Sequence, residues 1–251
     1  MTEQVICHGM VLKATNVGEY DKRLVLLTKE RGKIVAFARG ARRQKSLLAG
    51  SSQPFCFGEF KLYEGKDAYS LNGAEIDAYF YDILADVEAT CYGCYFMELA
   101  DYFLHENIDA TDSLRLIYAS LKALQNPKLP NALIKCIFEL KMLMIHGEYP
   151  QTFMCTACDA ENPVYFSVAR GGVLCADCAA KIDDAVPVDG STIYTMQYII
   201  TAGIDKLYTF VVKEYVQNEL EFILKRYFAL YIDKEFHSLE ILKSVTLENN
   251  M

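Results

Sequence analysis

No apolar run in this 251-residue sequence approaches the roughly 18 residues that a membrane-spanning helix requires. The opening Met1-Thr-Glu-Gln lacks the basic start and apolar core of a secretion signal, so a cytoplasmic protein with no membrane partner is expected. Internal repeats and low-complexity tracts are absent, and with 52% hydrophobic residues the chain can bury a real core. There is no Gly-rich phosphate loop, no Gly-x-Ser-x-Gly elbow and no His-Glu-x-x-His. The four histidines, His8, His105, His146 and His237, are scattered without a carboxylate or cysteine constellation. No residue set calls for an enzyme.

Positive charge is also scarce, but unevenly so. The net charge of −8 argues against nucleic acid until it is divided along the chain. Residues 1–80 hold twelve Lys or Arg against nine Asp or Glu, a balance of +3, which leaves −11 for the remaining 171 residues. Arg31, Lys33, Arg39, Arg42, Arg43 and Lys45 follow one another with no acid between them. Lys33, Arg39, Arg42, Arg43 and Lys45 are therefore the candidate DNA contacts.

Four of the nine cysteines form a pattern, Cys155-x-x-Cys158 and Cys175-x-x-Cys178. Two such knuckles supply the four thiolates of a tetrahedral zinc site, and a shell filled by cysteine leaves no open position, so the ion is expected to be structural. A disulfide-linked pair of turns and a redox motif are the alternatives. Short strands at 164–168 and 172–174, turned at Arg170-Gly171-Gly172, make the module a small zinc ribbon. Cys7, Cys56, Cys91, Cys94 and Cys136 sit in apolar surroundings and read as core, including the Cys91-Tyr-Gly-Cys94 pair on a helical pattern.

Residues 4–76 alternate in short β segments at 5–13, 23–28, 33–39, 55–63 and 68–74. Five strands suggest an OB-fold barrel, whose face and loops bind single strands, with an SH3-like barrel as the alternative. In the third segment Lys33, Val35, Phe37 and Arg39 share one face and Ile34, Ala36 and Ala38 the other. A cation-aromatic face suits a single-strand platform, but Phe37 is expected to point into the barrel. From residue 78 the period becomes helical, at 80–105, 111–125 and 130–146, the last apolar almost all round and expected to be a buried central helix. After the ribbon, a helix capped by Ser191 or Thr192 and another from about Asp205 complete an α+β chain. The domains expected are a barrel at 1–79, helical parts at 80–152 and 186–251, and a ribbon inserted at 153–185.

Taken together, Gly18-Glu19-Tyr20-Asp21, Leu27-Thr28-Lys29-Glu30-Arg31-Gly32, Arg39-Gly40-Ala41-Arg42-Arg43, Gln53-Pro54-Phe55, Gly147-Glu-Tyr-Pro150 running into the cysteines, and the close around Tyr231, Ser238 and Leu242 resemble the bacterial recombination mediator family RecO. Two positions depart from the family's habit: Leu47 and His237 stand where members often carry a basic residue. The resemblance implies a non-catalytic DNA-repair protein that binds single- and double-stranded DNA and anneals complementary strands. It further implies binding to the acidic C-terminal tail of single-strand-binding protein, and action with RecR to load RecA. For that tail, Lys135 and Lys141, projecting from the helix at 130–146, are the candidate cations. The competing class is a zinc-ribbon and OB-type RNA-binding or transcription-associated module, which shares the charge split and the cysteines.

Overall fold

The computed structural model describes residues 4–248; residues 1–3, on which the expectation about a leader partly falls, and 249–251 lie outside it. The strands β1 (Gln4–Val17), β2 (Asp21–Thr28), β3 (Gly32–Ala38), β4 (Phe57–Glu64) and β5 (Tyr69–Ala78) close into a barrel in the order β1-β2-β3-β5-β4. All neighbours are antiparallel except β3 with β5, and β1 closes the barrel on β4. Closure leaves no unpaired edge.

Alternation decides what fills the barrel. Ile34, Ala36 and Ala38 of β3 point inward and join Leu24, Leu26, Phe60 and Leu62 in one buried cluster. Removing the Phe60 ring would cost about 3–5 kcal/mol. Two residues before Phe60, position 58 is glycine because a Cβ there would meet the Glu75 carbonyl oxygen at 2.2 Å, too close for any other residue. Phe37 is not in the core, contrary to the expectation. Its neighbours Ala36 and Ala38 hold the inward positions, and the period of 2 then sends Phe37 out with Lys33 and Val35.

Beyond the barrel the chain divides into two compact units. The first keeps the barrel together with α1 (Val87–Phe103), α2 (Thr111–Leu124) and the returning C-terminal helix α7 (His237–Glu248). Asp86 caps α1, its Oδ1 accepting from the amides of Glu88 and Ala89 at 2.8 and 3.2 Å. Helix α7 packs on α1, where the Ser238 hydroxyl donates to Glu98 at 2.9 Å and the Phe236 ring meets Tyr95 edge-on at 5.1 Å.

The second unit, residues 126–235, contains α3 (Asn131–Ile145), β6 (Tyr165–Ser167), β7 (Gly172–Leu174), the single turn α4 (Ala176–Ala179), β8 (Val186–Pro187), α5 (Gly190–Thr201) and α6 (Glu214–Tyr231). Helix α3 is buried along its length, with α5 and α6 packed against it. The cap of α5 is Asp189, whose carboxylate accepts from the Ser191 amide at 2.8 Å, so the helix starts two residues before the hydroxyls the sequence suggests. Only one 3-10 turn, Ile204–Lys206, forms near Asp205, and α6 begins at Glu214. The intervening Thr209-Phe210-Val211-Val212 is rich in β-branched residues, which resist helix formation. Strand β8 was not anticipated, because two residues carry no periodic signal. Among the described residues no helix is long and apolar enough to cross a membrane.

Candidate nucleic-acid interface and metal centre

The loop from β3 to β4 carries the basic cluster. Arg39, Arg42, Arg43 and Lys45 are all exposed, and none forms an ion pair with an acid among the described residues. The loop is nevertheless ordered by its backbone. The Asp21 carboxylate accepts from the Gly40 amide at 2.7 Å, the Arg42 amide donates to the Tyr20 carbonyl at 2.9 Å, and Lys22 reaches across to the Ser52 carbonyl at 3.2 Å. Burial and the nearby Arg42 hold the Lys22 ammonium below its usual pKa. The Arg43 guanidinium lies 5.2 Å from the centre of the exposed Tyr20 ring, which joins the β1–β2 turn to the same surface.

That surface continues over the outer face of the barrel. Registration places Thr15, Arg23 and Phe37 in one row across β1, β2 and β3, and Lys13, Val25 and Val35 in the next. This is the face, with the β1–β2 and β4–β5 turns, on which OB-folds hold oligonucleotides. A cavity of about 580 Å³ opens on it, lined by Lys13, Arg23, Lys33, Lys66, Tyr69 and Asp101 among others. Lys33 is on the predicted face but is committed locally: its ammonium donates to the Asp101 carbonyl at 2.6 Å and carboxylate at 3.0 Å. Arg23, Lys13, Lys66 and Tyr20 were missed from sequence. Alternation marks Lys13 and Arg23 as outward, but only the strand register sets Arg23 beside Phe37.

The cysteine knuckles converge. The Sγ atoms of Cys155, Cys158, Cys175 and Cys178 all lie within 4.8 Å of one another, and Cys158 and Cys175 are 3.7 Å apart. An ion bonded to four sulfurs at about 2.3 Å needs them about 3.8 Å apart, so the donor set fits a tetrahedral metal. Burial pushes the Cys155 thiol up, but amides of Cys175, Ala157 and Cys158 outweigh it and bring the thiol down to about 6. The sulfurs of Cys158 and Cys175, with burial, drive Cys178 up to about 12. Four sulfurs this close become thiolates together only around a cation.

The module is fastened to its own unit. Asp184 accepts from the Ser167 hydroxyl and the Ala169 amide, and Arg226 of α6 donates to the Asp184 carbonyl at 3.3 Å. Tyr231 donates to the Val168 carbonyl at 3.0 Å and Tyr227 to the Glu148 carbonyl at 2.9 Å. Gly172 admits no side chain, since a Cβ would sit 2.3 Å from the Gln151 carbonyl oxygen.

The two lysines expected to project from α3 do not. Lys141 is buried, and its ammonium donates to the carbonyls of Ile200 and Ala202 at 2.9 and 2.7 Å, closing the C-terminus of α5. Lys135 pairs with the buried Glu139 at 2.9 Å. Helix α3 is enclosed on more sides than its charged positions suggest, and each cation has been drawn to an oxygen that burial would otherwise strand. Neither is a free cation for an acidic peptide.

Residues 1–80 match the family model described as Recombination protein O N terminal, and residues 84–240 the one described as Recombination protein O C terminal. The chain belongs to the RecO family. It is 32% identical over 239 residues to the DNA repair protein RecO of Acetivibrio thermocellus, covering 94% of this chain and 95% of that one. The DNA repair protein RecO of Alkaliphilus metalliredigens is 30% identical over 240 residues, covering 94% and 98%, and that of Caldicellulosiruptor saccharolyticus 32% over 239, covering 94% and 97%. Family membership assigns a DNA-repair role, and the described residues add a closed five-stranded barrel and a four-cysteine cluster that fits a metal.

Proposed function

We propose that this RecO protein is a non-catalytic mediator that binds single- and double-stranded DNA along the outer face of β1, β2 and β3 and the loop that follows β3. The observation that carries the reading is the group Arg39, Arg42, Arg43 and Lys45, exposed and without acidic partners among the described residues, next to the Tyr20 ring and the Arg23–Phe37 row. Cations of this kind track phosphates and the rings stack on bases, which suits annealing of complementary strands with little regard to sequence. Action with RecR, loading of RecA, and capture of the acidic tail of single-strand-binding protein belong to the same reading, as does work at the nucleoid in the cytoplasm. The tail needs a cation other than Lys135 or Lys141. The metal is zinc, since four thiolates in a closed tetrahedral set select it and leave it a folding role.

Binding of a labelled mixed-sequence single strand to the parent and to the Arg39→Ala, Arg42→Ala, Arg43→Ala triple variant tests the proposal. The variant should remain folded and lose most of its affinity. Full affinity in a folded variant would move the DNA surface elsewhere, and marked preference for a matched RNA strand would favour an RNA-binding module.

A further inference from the structure

The strand directions bring a second exposed surface to the end of the barrel that carries the basic loop. Strands β1 and β3 end, β4 begins and β5 ends there, as the pairings of Val17 with Asp21, Lys22 with Ala38 and Phe57 with Ala78 require. The chain leaves β5 through Tyr79 and enters the 3-10 turn Tyr81–Ala85. Tyr79 and Tyr81 stack with ring centres 4.9 Å apart and planes 15° from parallel. In a 3-10 turn residues three apart share a face, which puts Leu84 with Tyr81, and Val87 follows at the start of α1. These four are 36%, 55%, 52% and 60% exposed, an apolar cluster left uncovered by the described residues of this unit.

The chain segment that carries the cluster has charge of one sign, and a cation nearby is Lys122 of α2, held over the Tyr118 ring that packs on Phe80. Between Asp67 and Leu114 the chain has eleven acidic residues and no lysine or arginine, and Asp77, Asp82 and Asp86 are exposed on either side of the tyrosines. An occupant must therefore combine an apolar tip with basic flanks. The loop at the same end of the barrel has that composition. Leu47 is 98% exposed, the most exposed large apolar side chain described, and Arg42, Arg43 and Lys45 precede it.

We infer that two copies of this chain dock through this end of the barrel, the Leu47 loop of each seated on the Tyr79, Tyr81, Leu84 and Val87 surface of the other. Because both surfaces leave the barrel at one end, a two-fold axis lets each copy give its loop and receive its partner's, so the contact closes at two subunits. Burial of the leucine among the rings supplies the non-directional attraction, and the opposite charges set the register and speed the encounter. The same cations serve DNA in the function proposed above, so on that reading self-docking and DNA binding exclude each other, and the dimer is a resting form.

Sedimentation of the metal-loaded full chain without DNA, from about 1 to 200 µM in low salt, a range that covers micromolar dissociation constants, tests the docking independently of the DNA reading. The mass should rise from 28.4 kDa toward twice that. Leu47→Asp and Tyr81→Asp, both at exposed positions, should each weaken association at least about tenfold while leaving the circular dichroism unchanged. Lys45→Glu and Asp82→Lys should each weaken it, and the double charge swap should restore it. A parent that stays monomeric across the range, or a dimer indifferent to both aspartate substitutions, overturns the proposal. Adding a short single strand to the parent should then convert the dimer to DNA-bound monomers; a dimer that persists on DNA overturns the mutual exclusion.

Discussion

The β3–β4 loop and the zinc-ribbon region are two irregular stretches that handle charge in opposite ways. In the ribbon the groups that order the backbone are turned inward: the four sulfurs face one another, Asp184 takes a hydroxyl and an amide, and Arg226 and Tyr231 reach in from α6. In the loop, order comes from the backbone and from Asp21 and Lys22, while Arg39 and Lys45 extend into water. Satisfied groups contribute to folding and have little left to give a ligand. Unsatisfied, exposed cations contribute little to folding and are available to phosphates. On the function proposed above, the ribbon is a folding device and the loop a binding device.

The largest way to break the comparison is to remove the metal. Cys155→Ser or a strong chelator should release one ion and lower the melting temperature of the parent by about 10 °C or more, because metal binding at such a site is folding free energy. Calorimetry with metal analysis checks it, and an ordered ribbon in a protein purified without metal would contradict it. The barrel's transition should be unaffected.

A smaller effect is expected at Lys141, which the comparison places with the folding groups. Lys141→Ala strands one buried and one part-buried carbonyl and leaves a cavity, and should cost about 3 kcal/mol by urea unfolding. Charge removal with no loss of stability would mean that the α5 carbonyls find other partners. At the binding surface, Tyr20→Ala should weaken single-strand affinity by about 1–2 kcal/mol with stability nearly unchanged. Phe37→Ala should do the same, and a Phe37 variant that loses stability but no affinity would return that ring to a packing role.

These effects follow the line between what the sequence showed and what it did not. The knuckles, the barrel strands and the alternation in β3 were legible because spacing and period are local. So was the burial of α3. The place of Phe37 was not, because the choice between two faces depends on which side the small Ala36 and Ala38 must occupy to admit Phe60 from across the barrel. Lys135 and Lys141 looked like solvated positions on an apolar helix; what recruits them is Glu139 and the C-terminus of α5, nearly sixty residues away in the latter case. The grouping of α1, α2 and α7 with the barrel was also hidden, since an apolar stripe reports that a helix packs but not on what. Tyr20 and Arg23 belong to the candidate site only through cross-strand register and the fold of the loop.

Smallest in its effect on stability and most direct for the central claim is the salt dependence of DNA binding by the arginine triple variant. If about four loop cations neutralise phosphates, log K for the parent should fall against log salt with a slope of about −3, and for Arg39→Ala, Arg42→Ala, Arg43→Ala with a slope of about −1. The variant's unfolding free energy should stay within about 0.5 kcal/mol of the parent's. Lys213→Ala with Lys225→Ala, exposed cations of the ribbon's unit, should leave the slope where it was. A folded triple variant with the parent's slope and affinity would contradict the account and show that the barrel loop is not where this protein holds DNA.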